Sequence, residues 1–314
     1  MLSNTFCMKS TIDFYANGKL LLTGEYLVLE GAKALALPVR FGQQMTIHTA
    51  YEHILDWVSI SPEGSWFTAR FDPDTFSVLS AANQKVATNL KRLLVAARRL
   101  KPLFLTGSAG WRIEVTANYP LAWGLGSSST LCYLMAEWAG IDAFELFRKV
   151  SDGSGYDIAC AGRKGPIYYQ LNKGQPLVTP VKEGRALREN TYFVYLGHKQ
   201  DTKKEVTAFF KDQNFSDIDL MEVSKLSVQI CQADTPDELI RLVDKHEFIL
   251  STILKKEPIV YRYHTFPGTV KSLGAWGGDF AMFVSGHDPE TVIDHLHRLG
   301  FQQVFTYNDL KITA

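Results

Sequence analysis

Short runs of alternating apolar and polar residues dominate the first 120 positions, the pattern of strands with one buried face. They predict strands at 12–15, 19–22, 45–49, 57–60, 66–71 and 111–115, with an Asn17-Gly18 turn between the first two. A helix is predicted at 87–100, where leucines and alanines recur at helical spacing on one side. Its lysines and arginines fall largely on the other side, which indicates a solvated face.

Helical spacing becomes more frequent in the remainder of the chain. Helices are predicted at 131–138, 142–150 with Asp142 as N-cap, 221–233, 237–254 and 289–299, and strands at 192–196 and 280–285. Because strands and helices do not alternate strictly, we predict an α+β fold with helices on one face of each mostly antiparallel sheet. Composition changes near 162–174, so two domains are predicted, 1–168 and 169–314.

Composition narrows the function classes without selecting one. With 46% hydrophobic and 21% charged residues, the chain is expected to be soluble, globular and able to bury ample core. Its 33 basic residues balance 33 acidic ones, so no net field favours nucleic acid or an anionic membrane. Neither a signal peptide nor a membrane span is indicated. The four cysteines lack zinc or disulfide spacing, which fits a reducing cytoplasm: Cys7, Cys132, Cys160 and Cys231.

A glycine- and serine-rich segment, Pro120 to Thr130, stands between a predicted strand and a predicted helix. Gly124 and Gly126 permit a close backbone approach. The following serines are expected to supply an N-cap, hydroxyls and the N–H groups of a first helical turn. This arrangement suits a phosphate. It is not a Walker loop, because no lysine follows Gly126, and Ser129 stands where a dinucleotide fingerprint needs its third glycine. A glycine turn capping an ordinary core helix is the alternative.

Three further motifs accompany this segment along the chain. They are Asn17 to Tyr26 (NGKLLLTGEY), Gly153 to Ala159 (GSGYDIA) and Lys271 to Asp279 (KSLGAWGGD). In this order, the four motifs resemble those of the galactokinase, homoserine kinase, mevalonate kinase and phosphomevalonate kinase (GHMP) superfamily. The Glu-Tyr ending of the first, the second as a whole, and the Gly-Gly-Asp ending of the third are most similar to the phosphomevalonate kinase branch.

The resemblance implies a two-domain fold, with an N-terminal domain like ribosomal protein S5 domain 2 and a ferredoxin-like C-terminal domain. It implies an ATP- and Mg²⁺-dependent kinase that phosphorylates an acceptor of the mevalonate pathway, with phosphomevalonate first. Mevalonate kinase, another metabolite kinase, the related decarboxylase and a non-catalytic nucleotide- or metabolite-binding paralogue remain alternatives. The expected partner is a small-molecule substrate, not nucleic acid or membrane, and the expected protein is a cytoplasmic monomer or homodimer.

The site residues follow from the same resemblance, motif by motif. Asp157 matches the catalytic aspartate, and Lys19 would lie beside it and the γ-phosphate. The ATP phosphates would be held by Gly124, Leu125, Gly126, Ser127, Ser128 and Ser129. A second glycine turn would consist of Gly274, Ala275, Gly277, Gly278 and Asp279. Ser128 and Glu145 are candidate Mg²⁺ ligands.

Structural interpretations stand beside several of these assignments. Lys19 could be an edge-strand lysine that discourages aggregation, and Asp157 could cap a helix. Asp279 could bind substrate or hold the glycine turn. Glu25 is interpreted mainly as a structural acceptor, and His246 as a structural residue on an amphipathic helix.

Two features depart from the superfamily pattern. Trp276 stands where a glycine is usual, and the 31 residues from Gly126 to Asp157 are a short connection. The acceptor pocket needs cations, because phosphomevalonate carries a phosphate and a carboxylate. Candidates after strand 192–196 are Lys199, Lys203 and Lys204, which a solvated loop explains equally well.

Overall fold

The structure is a computed structural model that describes residues 11–197, 209, 214–274 and 279–312. These residues form two compact units, each made of separate stretches of chain. Unit one contains 11–17, 41–121 and 126–152; unit two contains 18–40, 122–125 and the described residues from 153 onward. The predicted boundary between residues 168 and 169 stays a prediction.

Unit one is a sheet with three helices. Its strands follow the order β5-β4-β3-β6-β2, in which β3 and β6 run parallel and the other neighbours antiparallel. The strands are β1 (Thr11–Leu21), β2 (Ala34–Ala50), β3 (Leu55–Ser61), β4 (Gly64–Phe71), β5 (Val78–Ala81) and β6 (Gly110–Ala117), with β1 pairing β2. The helices are α1 (Gln84–Leu100), α2 (Ser127–Ala139) and α3 (Ala143–Val150). Burial alternates strictly along β3, as the sequence period of two predicts.

The basic side of α1 is only partly a solvated face. Arg98 lies over the ring of Phe76, 4.0 Å from its centroid. Its guanidinium also donates hydrogen bonds to backbone carbonyl groups, namely those of Pro73, Asp74, Phe104 and Leu105. The predicted solvated role is therefore wrong for Arg98, because its planar fork of donors satisfies the carbonyl groups of two loops.

Unit two contains the end of β1, the start of β2 and the described elements after residue 153. Here β2 pairs antiparallel with β7 (Ile167–Asn172), which pairs with β8 (Gln175–Pro180). A separate antiparallel sheet has the order β10-β11-β9-β12, built from β9 (Thr191–Tyr195), β10 (Thr269–Leu273), β11 (Phe280–Val284) and β12 (Val304–Thr306). The helices are α4 (Tyr156–Ala161), α5 (Arg185–Glu189), α6 (Asp217–Gln232), α7 (Pro236–Leu254), α8 (Pro289–Arg298) and α9 (Tyr307–Leu310).

The core of the second sheet explains why its central strands are apolar throughout. All five residues of β11 are buried, and one face packs with Tyr263, Phe266 and residues of α8. A strand covered on both faces has no polar alternation.

The predicted α+β class is confirmed, and so are the long helices and most predicted strands. The predicted Asn17-Gly18 turn is wrong, because β1 continues through both residues to Leu21. Strands β5, β7, β8, β10 and β12 were not predicted. Across the described residues, no helix combines the length and the apolar character needed to cross a bilayer.

Candidate functional site

Lys19 ties strand β1 to the glycine segment within unit two. Its backbone N–H donates to the Leu125 carbonyl at 3.1 Å, and its Nζ donates to the Gly124 carbonyl at 3.2 Å. Its side chain is half-buried. The ammonium group is therefore held against the segment that the sequence assigns to phosphate binding. The alternative of an edge-strand lysine pointing into solvent does not fit these contacts.

Asp157 lies near the same ammonium group. Gly155 is the N-cap of α4 with φ of 84°, so Asp157 is the second residue of the helix and not its cap. Its Oδ1 accepts a hydrogen bond from the Ile158 N–H at 3.1 Å. The ring of Tyr156, the first residue of α4, has its centroid 5.4 Å from Lys19 Nζ.

The electrostatics of this cluster favour a permanent positive charge. Burial alone would lower the pKa of Lys19, but Tyr156, Asp157 and Asp279 outweigh it, and the pKa of Lys19 lies above its ordinary value. Burial likewise raises the pKa of the Tyr156 hydroxyl. At neutral pH, Lys19 is a cation and Tyr156 is a neutral hydrogen-bonding group.

Asp279, at the end of the third motif, is the second carboxylate that acts on the charge of Lys19. A Cβ placed on Gly124 would lie 1.7 Å from Asp279 Oδ2, and Gly124 has φ of 66°. The carbonyl of Asp279 accepts a hydrogen bond from the Leu196 N–H at 2.9 Å. Only glycine fits at position 124, since the carboxylate occupies the space of a side chain and the backbone is left-handed.

A group of aromatic rings anchors the glycine segment to the second sheet. Trp123 packs edge-on against Phe280 and Phe305, at centroid distances of 6.0 and 5.4 Å, and its ring centroid lies 6.5 Å from that of Tyr195. Such contacts stabilise beyond the area that they bury. The loop carrying Gly124 and Leu125 is therefore held by packing next to Lys19.

The serine helix α2 begins in unit one directly after this loop. Its N-cap is Gly126, with φ of 91° and no side-chain cap, so the expectation that a serine caps the helix is wrong. Ser127 is half-buried, Ser128 exposed and Ser129 buried. The Ser129 N–H donates to the Gly126 carbonyl at 2.9 Å, and the helix dipole is positive at this end. An uncapped start of this kind suits an anion such as phosphate.

The structure offers limited support for a protein-held metal. Among the described residues, no group of three or more His, Cys, Asp or Glu side chains is arranged to hold a metal ion. Glu145 is exposed in the first turn of α3, where its N–H bonds to the capping Asp142 at 2.8 Å. The assignment of Ser128 and Glu145 as Mg²⁺ ligands stays a prediction.

Several predicted residues lie outside the described residues. They are Ala275, Trp276, Gly277 and Gly278 of the third motif and the candidate acceptor lysines Lys199, Lys203 and Lys204. Gly274 is described, with φ of 71° and open space where a Cβ would lie. Its backbone conformation, not crowding, favours glycine there.

A second lysine cluster, buried in unit two, was not predicted as a unit. Lys271, which is fully buried, pairs with Glu25 Oε1, donates to the Ser272 carbonyl at 2.8 Å and lies 3.8 Å from Glu247 Oε2. His246 Nε2 accepts a hydrogen bond from the Gly24 N–H at 3.1 Å. The structural interpretations of Glu25 and His246 agree with these contacts.

This buried cluster contains one ammonium group for two carboxyl groups. Burial raises the pKa of Glu247 to about 7, although Lys271 opposes this effect and Glu25 adds to it. Burial also raises the pKa of Glu25. The pKa of His246 is lowered, mainly by burial and to a lesser extent by the nearby charge of Lys271. Below neutral pH, Glu247 is therefore protonated and neutral, and it lies beside the Lys271–Glu25 pair. The signal in the sequence for this buried cluster was that Lys271 belongs to the third motif and Glu25 to the first.

Comparisons place the whole chain among known folds. No protein-family model and no curated protein matches the sequence. Among solved structures, the chain is similar to a Streptococcus pneumoniae phosphomevalonate kinase in complex with phosphomevalonate and AMPPNP, with TM-score 0.71, 15% identity, and coverage of 94% of this chain and 99% of that chain. It is also similar to an L. major mevalonate kinase in complex with R-mevalonate, with TM-score 0.67, 17% identity and 97% coverage of each chain.

A Lactococcus lactis galactokinase complexed with galactose is similar as well, with TM-score 0.65, 13% identity, and coverage of 96% of this chain and 94% of that chain. These three proteins are GHMP kinases. The resemblance inferred from the four motifs is thus confirmed at the level of the fold.

Proposed function

We propose that this chain, which has the GHMP kinase fold, is an ATP-dependent kinase that transfers the γ-phosphoryl group to phosphomevalonate. The observation that carries the proposal is the cluster of Lys19, Asp157 and Asp279 at the Gly124 loop. Residues far apart in the sequence converge there on one cation beside a glycine turn. Phosphoryl transfer requires alignment and charge neutralisation more than covalent catalysis, and this cluster can supply both.

Each residue has a definite role in the proposal. Lys19 offsets the negative charge that develops on the transferred group, and its raised pKa keeps it charged. Asp157 orients the attacking oxygen of the acceptor and receives its proton if that oxygen carries one. Asp279 holds the Gly124 loop through the close contact that excludes a side chain.

ATP fits the residues that are present. The uncapped start of α2 offers backbone N–H groups to the phosphates, with Ser127, Ser128 and Ser129 supplying hydroxyls. Mg²⁺, held by the phosphates with Ser128 and Glu145 as protein candidates, would neutralise phosphate charge. Gly274, Ala275, Gly277 and Gly278 are proposed to complete the phosphate site.

We also propose the fold names of the two domains. A β-α-β-β-α-β order with sheet order β10-β11-β9-β12 supports the name ferredoxin-like for the C-terminal domain, 169–314. The S5-like name for 1–168 rests on the resemblance. We propose a cytoplasmic enzyme that acts on a small molecule as a monomer or homodimer.

A coupled assay of ADP release tests the proposal. Mevalonate, phosphomevalonate, homoserine and several sugars are offered with ATP and Mg²⁺, and the Asp157→Ala variant is the control. Turnover of phosphomevalonate that Asp157→Ala abolishes supports the proposal; turnover of mevalonate alone reassigns the acceptor. Release of CO₂ would indicate the decarboxylase chemistry. No ADP release with any acceptor contradicts the proposal and favours a non-catalytic binding protein.

The proposed acceptor contacts of Lys199, Lys203 and Lys204 have their own test. Lys203→Ala or Lys204→Ala should raise KM for a phosphorylated acceptor much more than KM for ATP. Unchanged acceptor kinetics would remove these lysines from the site.

A further inference from the structure

Unit two contains a pocket that none of the four motifs predicts as a binding site. Its volume is about 470 Å³. It is lined by the segment between α7 and β10 and by the ends of β9 and β10. The pocket wall includes Leu196, Lys256, Glu257, Arg262 and Ser272.

The pocket lies close to the Lys19 cluster through a short series of contacts. Leu196, in the pocket wall, donates its N–H to the Asp279 carbonyl at 2.9 Å. The Asp279 carboxylate occupies the space next to Gly124, whose carbonyl accepts from Lys19 Nζ at 3.2 Å. These contacts connect the pocket wall to the Gly124 loop beside Lys19.

Ser272 provides a polar group at the most buried part of the wall. The residue is 1% exposed, and its Oγ has no hydrogen-bond partner within the described part of the chain. Its backbone N–H is already bonded to Glu247 Oε1 at 3.3 Å. A buried hydroxyl without a partner is unfavourable, so a ligand oxygen at this point would be stabilising.

The charges at the pocket favour an anion. Lys256 and Arg262 bring two cations, and Glu257 brings one carboxylate. Arg262 has a planar fork of donors that matches the two oxygens of a carboxylate. The lining thus combines a hydroxyl donor with two cationic residues and one carboxylate, a set of groups that suits a carboxylate ligand.

We propose that this pocket binds the carboxylate of the acceptor, at the end remote from the group that is phosphorylated. Arg262 and Lys256 pair with the carboxylate, and Ser272 donates a hydrogen bond to it. The substrate class is then a short-chain acid that carries its hydroxyl or phosphate at the opposite end. This inference rests on the proposed function, since it assigns one end of the proposed acceptor.

Equilibrium binding without ATP tests the pocket separately from catalysis. Calorimetric titrations compare mevalonate and phosphomevalonate, which carry the carboxylate, with mevalonolactone, which does not. Arg262→Gln should weaken binding of both acids by about tenfold or more, the loss expected for one charge-assisted hydrogen bond. It should leave mevalonolactone and ATP binding within about twofold.

Two further variants make the result specific to charge at the pocket. Glu257→Gln removes the opposing carboxylate and should tighten binding of both acids. Lys255→Gln removes a positive charge from the same segment but not from the pocket wall, and should leave acid binding unchanged. Thermal melting confirms that every variant is folded.

The outcomes separate this inference from the proposed function. Acid binding that depends on Arg262 but is accompanied by no phosphoryl transfer supports the pocket and contradicts the kinase assignment. Phosphoryl transfer with acid affinity indifferent to Arg262→Gln and Glu257→Gln overturns the pocket. Equal sensitivity of the lactone, or no binding of either acid to the unmodified chain, also overturns it.

Discussion

Unit two contains two lysine clusters of similar composition and different surroundings. Lys19 is half-buried, meets a backbone carbonyl and a tyrosine ring, and has two carboxylates nearby. Lys271 is fully buried and pairs directly with Glu25 beside Glu247. No ion pair within the described part of the chain joins Lys19 directly to a carboxylate, whereas Lys271 pairs directly with Glu25. Exposure and pairing, more than residue type, distinguish a reactive site from a structural one.

The comparison shows that two of the motifs contribute residues to both clusters. The first motif contributes Lys19 to one cluster and Glu25 to the other, and the third contributes Asp279 and Lys271 in the same way. The first and third motifs therefore each contain one residue at the candidate site and one that fastens the motif to the rest of unit two. Variants that separate activity from stability can test this division.

The largest expected effect is on turnover, at Asp157. Asp157→Asn keeps the size of the side chain and removes its negative charge and basicity. We expect kcat to fall by about 10²–10⁴-fold, the usual contribution of a positioned acid or base. Steady-state kinetics measures it, with thermal melting to check folding. A kcat within threefold of the unmodified enzyme would exclude Asp157 from catalysis.

Exchanging each lysine for methionine should give opposite results in the two clusters. Lys19→Met should lower kcat by about 10²–10³-fold, because a charge that stabilises the transition state is lost. Its free energy of unfolding should change by less than about 1 kcal/mol, since the residue is partly solvated. Lys271→Met should instead lower the free energy of unfolding by about 3 kcal/mol or more, because it leaves buried carboxyl groups without their cation.

Urea unfolding and kinetics on the same preparations check this pair. If Lys271→Met unfolds like the unmodified protein, the buried cluster has no structural role. If Lys19→Met retains full kcat, the candidate site is assigned wrongly.

Glu247 should give the buried cluster a pH-dependent stability. Its pKa is about 7 in the folded protein and 4.5 in its ordinary state, so the folded state binds the proton more tightly. The stabilisation is complete below about pH 4.5 and is lost as the pH rises to about 7, where it levels off; the total is on the order of 3 kcal/mol. Glu247→Gln mimics the protonated group, so its unfolding free energy should lack this decline. Equal pH slopes for both proteins between pH 5 and 7 would contradict the assignment.

The smallest effect comes from a pair of glycines with similar backbone angles. Gly124 and Gly274 have φ of 66° and 71°, but among the described residues only Gly124 has a neighbour where a Cβ would lie. Gly274→Ala should lower the free energy of unfolding by about 1–2 kcal/mol, from backbone strain alone. Gly124→Ala should add displacement of Asp279 and raise KM for ATP, while Gly274→Ala serves as the matched control for strain. Identical KM values for ATP would show that the contact with Asp279 is not needed.

Much of the secondary structure could be predicted from local pattern. The amphipathic period of α1 and the caps Asp142 and Asn83 depend on neighbouring residues, so a sequence pattern contains them. The short strands β7 and β12 could not be found in this way, because pairing with the distant strands β2 and β9 stabilises them. Strand β8 in turn pairs with β7. The predicted Asn17-Gly18 turn was also wrong because of a contact distant in sequence. The backbone of Ala16 lies close to Gly42 of β2, and β1 continues through Asn17 and Gly18.

The sequence by itself determined the four motifs, their order and the chemical types of the residues in the Lys19 cluster. These follow from short stretches of chain, where a lysine, an aspartate or a glycine turn can be recognised in place. Only the tertiary structure decided which lysine stays half-buried beside the Gly124 loop and which is paired inside unit two, and that Ser272, Lys256 and Arg262 share one pocket wall. The Lys271–Glu25 pair, for example, joins residues 246 positions apart, and no local pattern records which residues fold together.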